Sequence, residues 1–184
     1  MKKFGWLGTL WLTRLSKPAG ERPIYRLVRS KSPKRILELG LGTLDRTARL
    51  LAFARSSAGD QLHYVGLDRF EGRLPSDPPG VTLKAAHQRL HALGRVQLVP
   101  GNVDTSLARL CNHLGVFDLV LVAADNDPRH LERSWFFIQR MMNAATTVLV
   151  ETPDGAKPGT TVWKAIDKRR VDELATRTIQ RRAA

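Results

Sequence analysis

Two short stretches carry the residues with the clearest chemical potential. Glu38-Leu39-Gly40-Leu41-Gly42 ends a β-rich run on glycines, and Asp68 closes a second such run 26 residues beyond Gly42. Glycines after a strand let backbone approach a ligand closely, and a carboxylate at the end of the next strand can accept both hydroxyls of a ribose. That pairing points to an adenosine-containing cofactor. A nicotinamide dinucleotide asks for Gly-x-Gly-x-x-Gly, with its pyrophosphate on the helix N-terminus. Here the sixth position is Asp45, which sets a negative charge and a β-carbon against the phosphates. The interval to the acid also exceeds the usual ~20 residues. Glu38, beside the loop, suits instead a cationic ligand with an amino group and a sulfonium.

The elements that must hold these residues follow from the hydrophobic pattern. Short β-rich runs alternate with helical stretches, the signature of an α/β fold. Strands are expected at Arg35 to Leu39, His63 to Leu67, Val96 to Val99, Phe117 to Ala123 and Thr147 to Val150. Helices are expected at Ile24 to Arg29, Asp45 to Ser56, Val81 to Leu93, Thr105 to Leu114 and Leu131 to Met142. Phe117 to Ala123 is almost continuously apolar, as a central parallel strand covered on both faces should be. The expected architecture is a doubly wound, mostly parallel Rossmann-like sheet of about five strands with helices on both faces. After the turn at Asp154 to Gly159, Thr161 to Leu174 reads as helix and only Thr176 to Gln180 as a further strand. The C-terminal hairpin is therefore expected to be reduced or absent, and a homodimer would cover the edge left open. Ligands of such sheets bind at the carboxyl ends of the strands, which places Asp125, after the fourth strand, in the site as well.

Taken in order, these stretches resemble the class I S-adenosylmethionine-dependent methyltransferases. Glu38 to Gly42 resembles that family's first motif, whose loop passes under the methionine part of the cofactor, and Tyr64-Val65-Gly66-Leu67-Asp68 resembles the second, whose acid binds ribose. Val99-Pro100-Gly101-Asn102-Val103 is similar to the stretch after the third strand that meets the adenine amino group, and Phe117 to Val122 looks like the fourth strand. The resemblance covers Ile36 to Glu151 and is nearest in texture to the small-molecule O-methyltransferases. It implies S-adenosylmethionine as cofactor, held by Glu38, Gly40, Leu41, Gly42, Asp68, Arg69, Asn102 and Val103, with Asp125 as catalytic base or substrate-orienting group. Asp125 can equally be a cofactor contact or a helix N-cap.

Departures from the family pattern bear on the chemistry. Leu44 stands where the first motif has a third glycine. Ala123 stands where the metal-dependent O-methyltransferases have Asp, and Glu151-Thr152-Pro153-Asp154 stands where they have Asp-Asn. Asp125 with Asp154 is a thin ligand set for a hard cation, so no metal is expected. Asn126-Asp127-Pro128-Arg129 lacks the aromatic residue that would stack a flipped base. His130 reads as an exposed helix residue with no partner; His63, His87, His91 and His113 read as surface residues, and Cys111 as buried helix. Trp135, Phe136 and Phe137 are expected to pack on the sheet.

The chain has 184 residues, 42% of them apolar and 26% charged, in the range of one globular domain. No apolar run approaches the ~18 residues of a membrane span. A single cysteine excludes an intrachain disulfide and fits a reducing, cytoplasmic setting. The net charge of +13 is concentrated in the flanks. Residues 1–37 hold ten Lys/Arg against Glu21 alone, and residues 157–184 hold eight against Asp167, Asp172 and Glu173. If the flanks adjoin, they form a basic face for weak, sequence-independent RNA binding or for an acidic partner; otherwise the charge serves solubility. Phe4, Leu7, Trp11 and Leu15 recur at helical spacing, with packing on the chain's own domain expected ahead of a dimer interface or a membrane surface. Residues 1–35 thus read as a basic helical extension on a 36–184 methyltransferase-like domain. The expected activity is metal-independent methyl transfer to a small-molecule oxygen acceptor. The alternatives are a non-catalytic scaffold with the same fold, favoured by Leu44 and Ala123, and an RNA-associated methyltransferase, favoured by the basic flanks.

Overall fold

The computed structural model describes Gly8 and residues 10–183, with side chains as far as Gln180. Of the stripe expected from Phe4 to Leu15, Phe4 and Leu7 lie outside the described residues, while Trp11–Leu15 forms a π-helical turn.

Six strands build one sheet: β1 (Arg35–Leu39), β2 (His63–Asp68), β3 (Arg95–Pro100), β4 (Leu119–Val122), β5 (Thr147–Pro153) and β6 (Thr161–Ile166). Their order is β3-β2-β1-β4-β5-β6; the first five are parallel and β6 runs antiparallel to β5. The sheet is doubly wound, and the reduced C-terminal hairpin amounts to one strand. The register sets Leu37 beside Val65 and Val120, so alternate residues feed two separate cores. Ile36, Tyr64, Leu119 and Leu121 face one layer, while Leu37, Leu39, Val65, Val120 and Val122 face the other. Both faces are dry, which is why β4 can be apolar throughout.

The first layer consists of α1 (Arg22–Lys31), α2 (Asp45–Ala58) and α3 (Leu83–Leu90); the second consists of α4 (Val103–Leu114), α5 (Pro128–Arg140) and α6 (Lys168–Ala183). Local chemistry sets several ends. Pro23 opens α1, and Ser32 closes it in a left-handed conformation with its N–H on Val28 O at 2.9 Å. Thr82 caps α3 through Ala85 N–H, and Asp127 caps α5 through Arg129 N–H. The α5 helix therefore starts at Pro128, three residues before the first apolar residue that marked it in the sequence.

The segment from Thr161 to Leu174 is not one helix. Thr161–Ile166 pairs with β5, helix begins at Lys168, and Thr176 to Gln180 is helical instead of extended. The turn closes through Asp154 N–H on Thr160 O at 2.9 Å, and Trp163 buries its ring in the first layer, anchoring the strand. The expected open edge is partly covered by the chain itself. Gly20 lies so close to β6 that a β-carbon there would come within 1.9 Å of Thr161 O. The two basic flanks meet only in part: the segment before α1 lies against β6, whereas α1 packs in the first layer and α6 in the second, on opposite faces of the sheet. Among the described residues no helix is long and apolar enough to cross a membrane.

Candidate functional site

Strand order reverses between β1 and β4, and the carboxyl ends of β1, β2 and β4 converge there. After β1 the chain turns through Gly40 at φ +84° and Gly42 at φ +57°, then through Leu44 at φ +68°. A β-carbon on Gly40 would lie 2.3 Å from Asp125 Oδ1 and 2.9 Å from Asn126 Nδ2, so glycine is required for the β4 loop to rest on the β1 loop. Asn126 fastens that contact by donating to Leu39 O and Ala123 O, each at 2.8 Å. Leu44, at the position of a third glycine, holds the left-handed backbone with its side chain buried in the first layer.

Glu38 lies beneath the loop, not in the opening. Its carboxylate is fully buried and accepts from Arg46 Nε at 2.9 Å, Thr47 Oγ1 at 3.0 Å and Tyr64 Oη at 2.7 Å. It reaches the loop through Arg46, whose Nη2 donates to Gly40 O at 2.7 Å and whose guanidinium stacks on Trp163 at 4.8 Å. Burial opposes the Arg46 charge, but Glu38 outweighs it and keeps the group protonated. Burial and the nearby Glu38 drive the Tyr64 hydroxyl well up.

Asp68, at the end of β2, accepts from Leu41 N–H at 2.7 Å, Gly42 N–H at 3.3 Å and Phe70 N–H at 2.9 Å. Both of its oxygens are also held by Arg73, through Nε at 3.0 Å and Nη2 at 2.6 Å. Nη2 extends to Asp125 Oδ2 at 2.9 Å, and Nη1 donates to Pro78 O. Burial pushes the Asp68 carboxyl up, but the donors of Arg73, Phe70 and Leu41 prevail and hold it below the usual carboxylate range. Asp125 Oδ1 is buried and, among the described residues, has no hydrogen-bond partner.

Two spaces open here. The inner one, about 20 Å³ and room for a water molecule, is lined by Gly40, Asp68, Arg69, Arg73, Asn102, Val103, Asp125 and His130 among others. The outer one is a cleft of about 430 Å³ walled by Pro18, Glu21, Leu41, Gly42, Arg46, Arg49, Asp125 and Glu151, and Asp125 borders both. The residues singled out in the sequence therefore gather around two spaces that share Asp125, with Glu38 standing outside them. Arg69 lines the inner space while pairing with Asp77 at 2.8 Å.

Two participants escaped the sequence reading. Arg73 carries no motif, and only the turn after β2 brings it back onto Asp68. His130 is not an unpartnered surface residue: its Nδ1 lies 2.9 Å from Asp104 Oδ1, joining the first turns of α4 and α5 at the rim of the inner space. Nothing local in the sequence signals a pair made between two helices. The remaining histidines build no centre; burial and Arg35 push His63 down, and His91 bonds the backbone of its own helix. Among the described residues no group of three or more His, Cys, Asp or Glu is placed to hold a metal ion.

No protein-family model matches the chain, and no curated protein matches it in sequence. Solved structures do match. An O-methyltransferase from Bacillus cereus in complex with SAH superposes with a TM-score of 0.56 at 18% identity, covering 91% of this chain and 70% of that one. The O-methyltransferase TomG from Streptomyces achromogenes, involved in tomaymycin synthesis and in complex with SAM, gives 0.55 at 17% identity over 91% and 69%. Cofactor-bound Rv0187 from MTB gives 0.53 at 20% identity over 97% and 80%. Identities this low speak to the fold alone.

Proposed function

Starting from the class I methyltransferase fold shared with those structures, we propose that this chain binds S-adenosylmethionine and transfers a methyl group to a small-molecule oxygen acceptor without a metal. The observation that supports the reading is Asp125 Oδ1, a buried carboxylate oxygen at the switch point that has no donor among the described residues and lies between the inner space lined by Asp68, Asn102 and Val103 and the open cleft. Leaving such an acceptor unpaired is costly, and a ligand donor would relieve it.

The residues present fit the cofactor once Arg73 withdraws. Asp68 would take the ribose hydroxyls, Asn102 and Val103 would flank the adenine, and Gly40, Leu41 and Gly42 would give the methionine part backbone without side-chain obstruction. Arg69 would border the nucleoside, and Glu38 would act from below by fixing Arg46 against the loop. When bound, the cofactor supplies a methyl group activated by a sulfonium. The acceptor would enter through the cleft of about 430 Å³, within the size range of small-ligand sites. Asp125 would orient the acceptor hydroxyl and take its proton as the oxygen attacks; alignment supplies most of the remaining acceleration.

Calorimetry of the purified protein against S-adenosylmethionine, S-adenosylhomocysteine and NAD tests this. The first two should bind and NAD should not. Asp68→Ala should cost about 1.5–3 kcal/mol of affinity, the worth of hydrogen bonds to a charged group. Wild-type affinity in that variant would sink the ribose assignment. A scaffold that keeps the fold without turnover is the second reading, favoured by Arg73 sitting on Asp68. Absence of binding in both the wild type and Arg73→Ala selects it.

A further inference from the structure

Trp11 and Leu15 are 50% and 61% exposed, on a turn whose Leu12 and Thr13 are buried against the rest of the protein. In a π-helical turn, residues four apart share nearly one face, so the two side chains stand side by side in water. Both belong to the stripe with Phe4 and Leu7, and the expectation that this stripe packs on its own domain fails for its described members. The exposed charges of this segment and of α1 beside it have one sign. Arg14 and Lys17 are exposed on the same segment, and α1 lies alongside, Arg26 Nε donating to Thr13 O and Arg22 Nε to Ser16 O, each at 3.1 Å. The one carboxylate of residues 1–37, Glu21, is buried and bound by Arg49 and Tyr25, so it neutralises nothing at this surface.

We infer that this segment docks the protein on an anionic lipid bilayer, lying in the interface and not crossing it. A tryptophan and a leucine on one face suit the boundary between headgroups and acyl chains, and flanking arginine and lysine suit anionic headgroups. A second copy of the chain is a poor occupant, since the arginines and lysine flanking Trp11 and Leu15 would face their own copies. A nucleic acid would use the charges and the Trp11 ring but leave Leu15 in water. The docking segment runs directly into Pro18 and Glu21, which wall the outer cleft, so a docked bilayer borders the approach to that cleft.

The test uses the full chain and vesicles of phosphatidylglycerol mixed with phosphatidylcholine, against vesicles of phosphatidylcholine alone. The protein should sediment with the anionic vesicles, far less with the neutral ones, and less as salt is raised. Trp11→Glu/Leu15→Glu should abolish sedimentation while leaving thermal unfolding unchanged, because both side chains are solvent-exposed. Arg14→Gln and Lys17→Gln should each weaken partitioning about fivefold, the effect of one interfacial basic residue. Failure to bind anionic vesicles overturns the inference, as does binding that the double variant leaves intact. So does a structured RNA that binds the wild type and not the double variant when vesicles bind neither, or a concentration-dependent dimer in sedimentation velocity that the double variant loses.

Discussion

Replacing Arg73 by alanine separates two roles that the site combines. Arg73 makes two hydrogen bonds to Asp68 and one to Asp125, with only 11% of its side chain exposed and 3% of that of Asp68. Breaking a buried ion pair by removing one partner costs about 3–5 kcal/mol, because the other charge stays behind. Urea unfolding at neutral pH should register that loss. A ligand on Asp68 should gain, since it no longer has to displace charge-assisted bonds worth about 1.5–3 kcal/mol each. Sparing one such bond raises affinity about tenfold, and sparing two about a hundredfold or more. S-adenosylhomocysteine titrated into wild type, Arg73→Ala and Arg73→Gln measures the effect, the glutamine variant guarding against a misfolded alanine variant. The acid limb gives a second reading. The Asp68 carboxyl is depressed in the folded protein, so its contribution to stability is fully present above the unfolded value near ~4 and disappears as pH falls through the lower folded value. Without Arg73 the carboxyl loses its largest lowering partner and moves up toward the unfolded value, so the stability lost to acid should be smaller and its loss complete at higher pH. Weaker ligand binding in both variants would refute the reasoning, showing that Arg73 closes over the ligand instead of occupying its place.

Leu44→Gly should relieve a left-handed backbone worth about 1–2 kcal/mol, but it forfeits a buried leucine worth about 2–5 kcal/mol. Net destabilisation in chemical denaturation is therefore expected, and a stabilised variant would contradict the assignment of Leu44 to the first core. Gly20→Ala should cost about 1–3 kcal/mol, since the added methyl meets the Thr161 carbonyl backbone and no flexible side chain; an unchanged melting temperature would show that the N-terminal segment does not lie against β6. Gly40→Val should abolish cofactor binding by displacing Asp125, to be read by calorimetry alongside an intact circular dichroism spectrum. Any transferase activity should survive EDTA, because Ala123 offers no ligand where a hard cation would need one; loss restored by magnesium would contradict this.

Features that depend on neighbours along the chain were legible in the sequence. The alternation of apolar runs located β1 to β5 and the helices between them, because burial on both faces imposes a local pattern that the residues cannot hide. The glycines after β1 and the acid ending β2 were legible for the same reason, since backbone conformation and strand ends leave local marks. The strand at Thr161–Ile166 was missed because an edge strand with Trp163 as its one buried residue has a weak pattern, and its state depends on β5 being there to pair with. Only the tertiary structure turned Glu38 inward onto Arg46, Thr47 and Tyr64, carried Arg73 onto Asp68 and Asp125, and joined His130 to Asp104. It also set the helices of the two basic flanks, α1 and α6, on opposite faces of the sheet and left Trp11 and Leu15 in water. Each of these is a contact, or the lack of one, between segments far apart in the chain. A charged or polar side chain carries no local record of which distant partner its hydrogen bonds will find, whereas an apolar residue at the right period already announces that it will be buried.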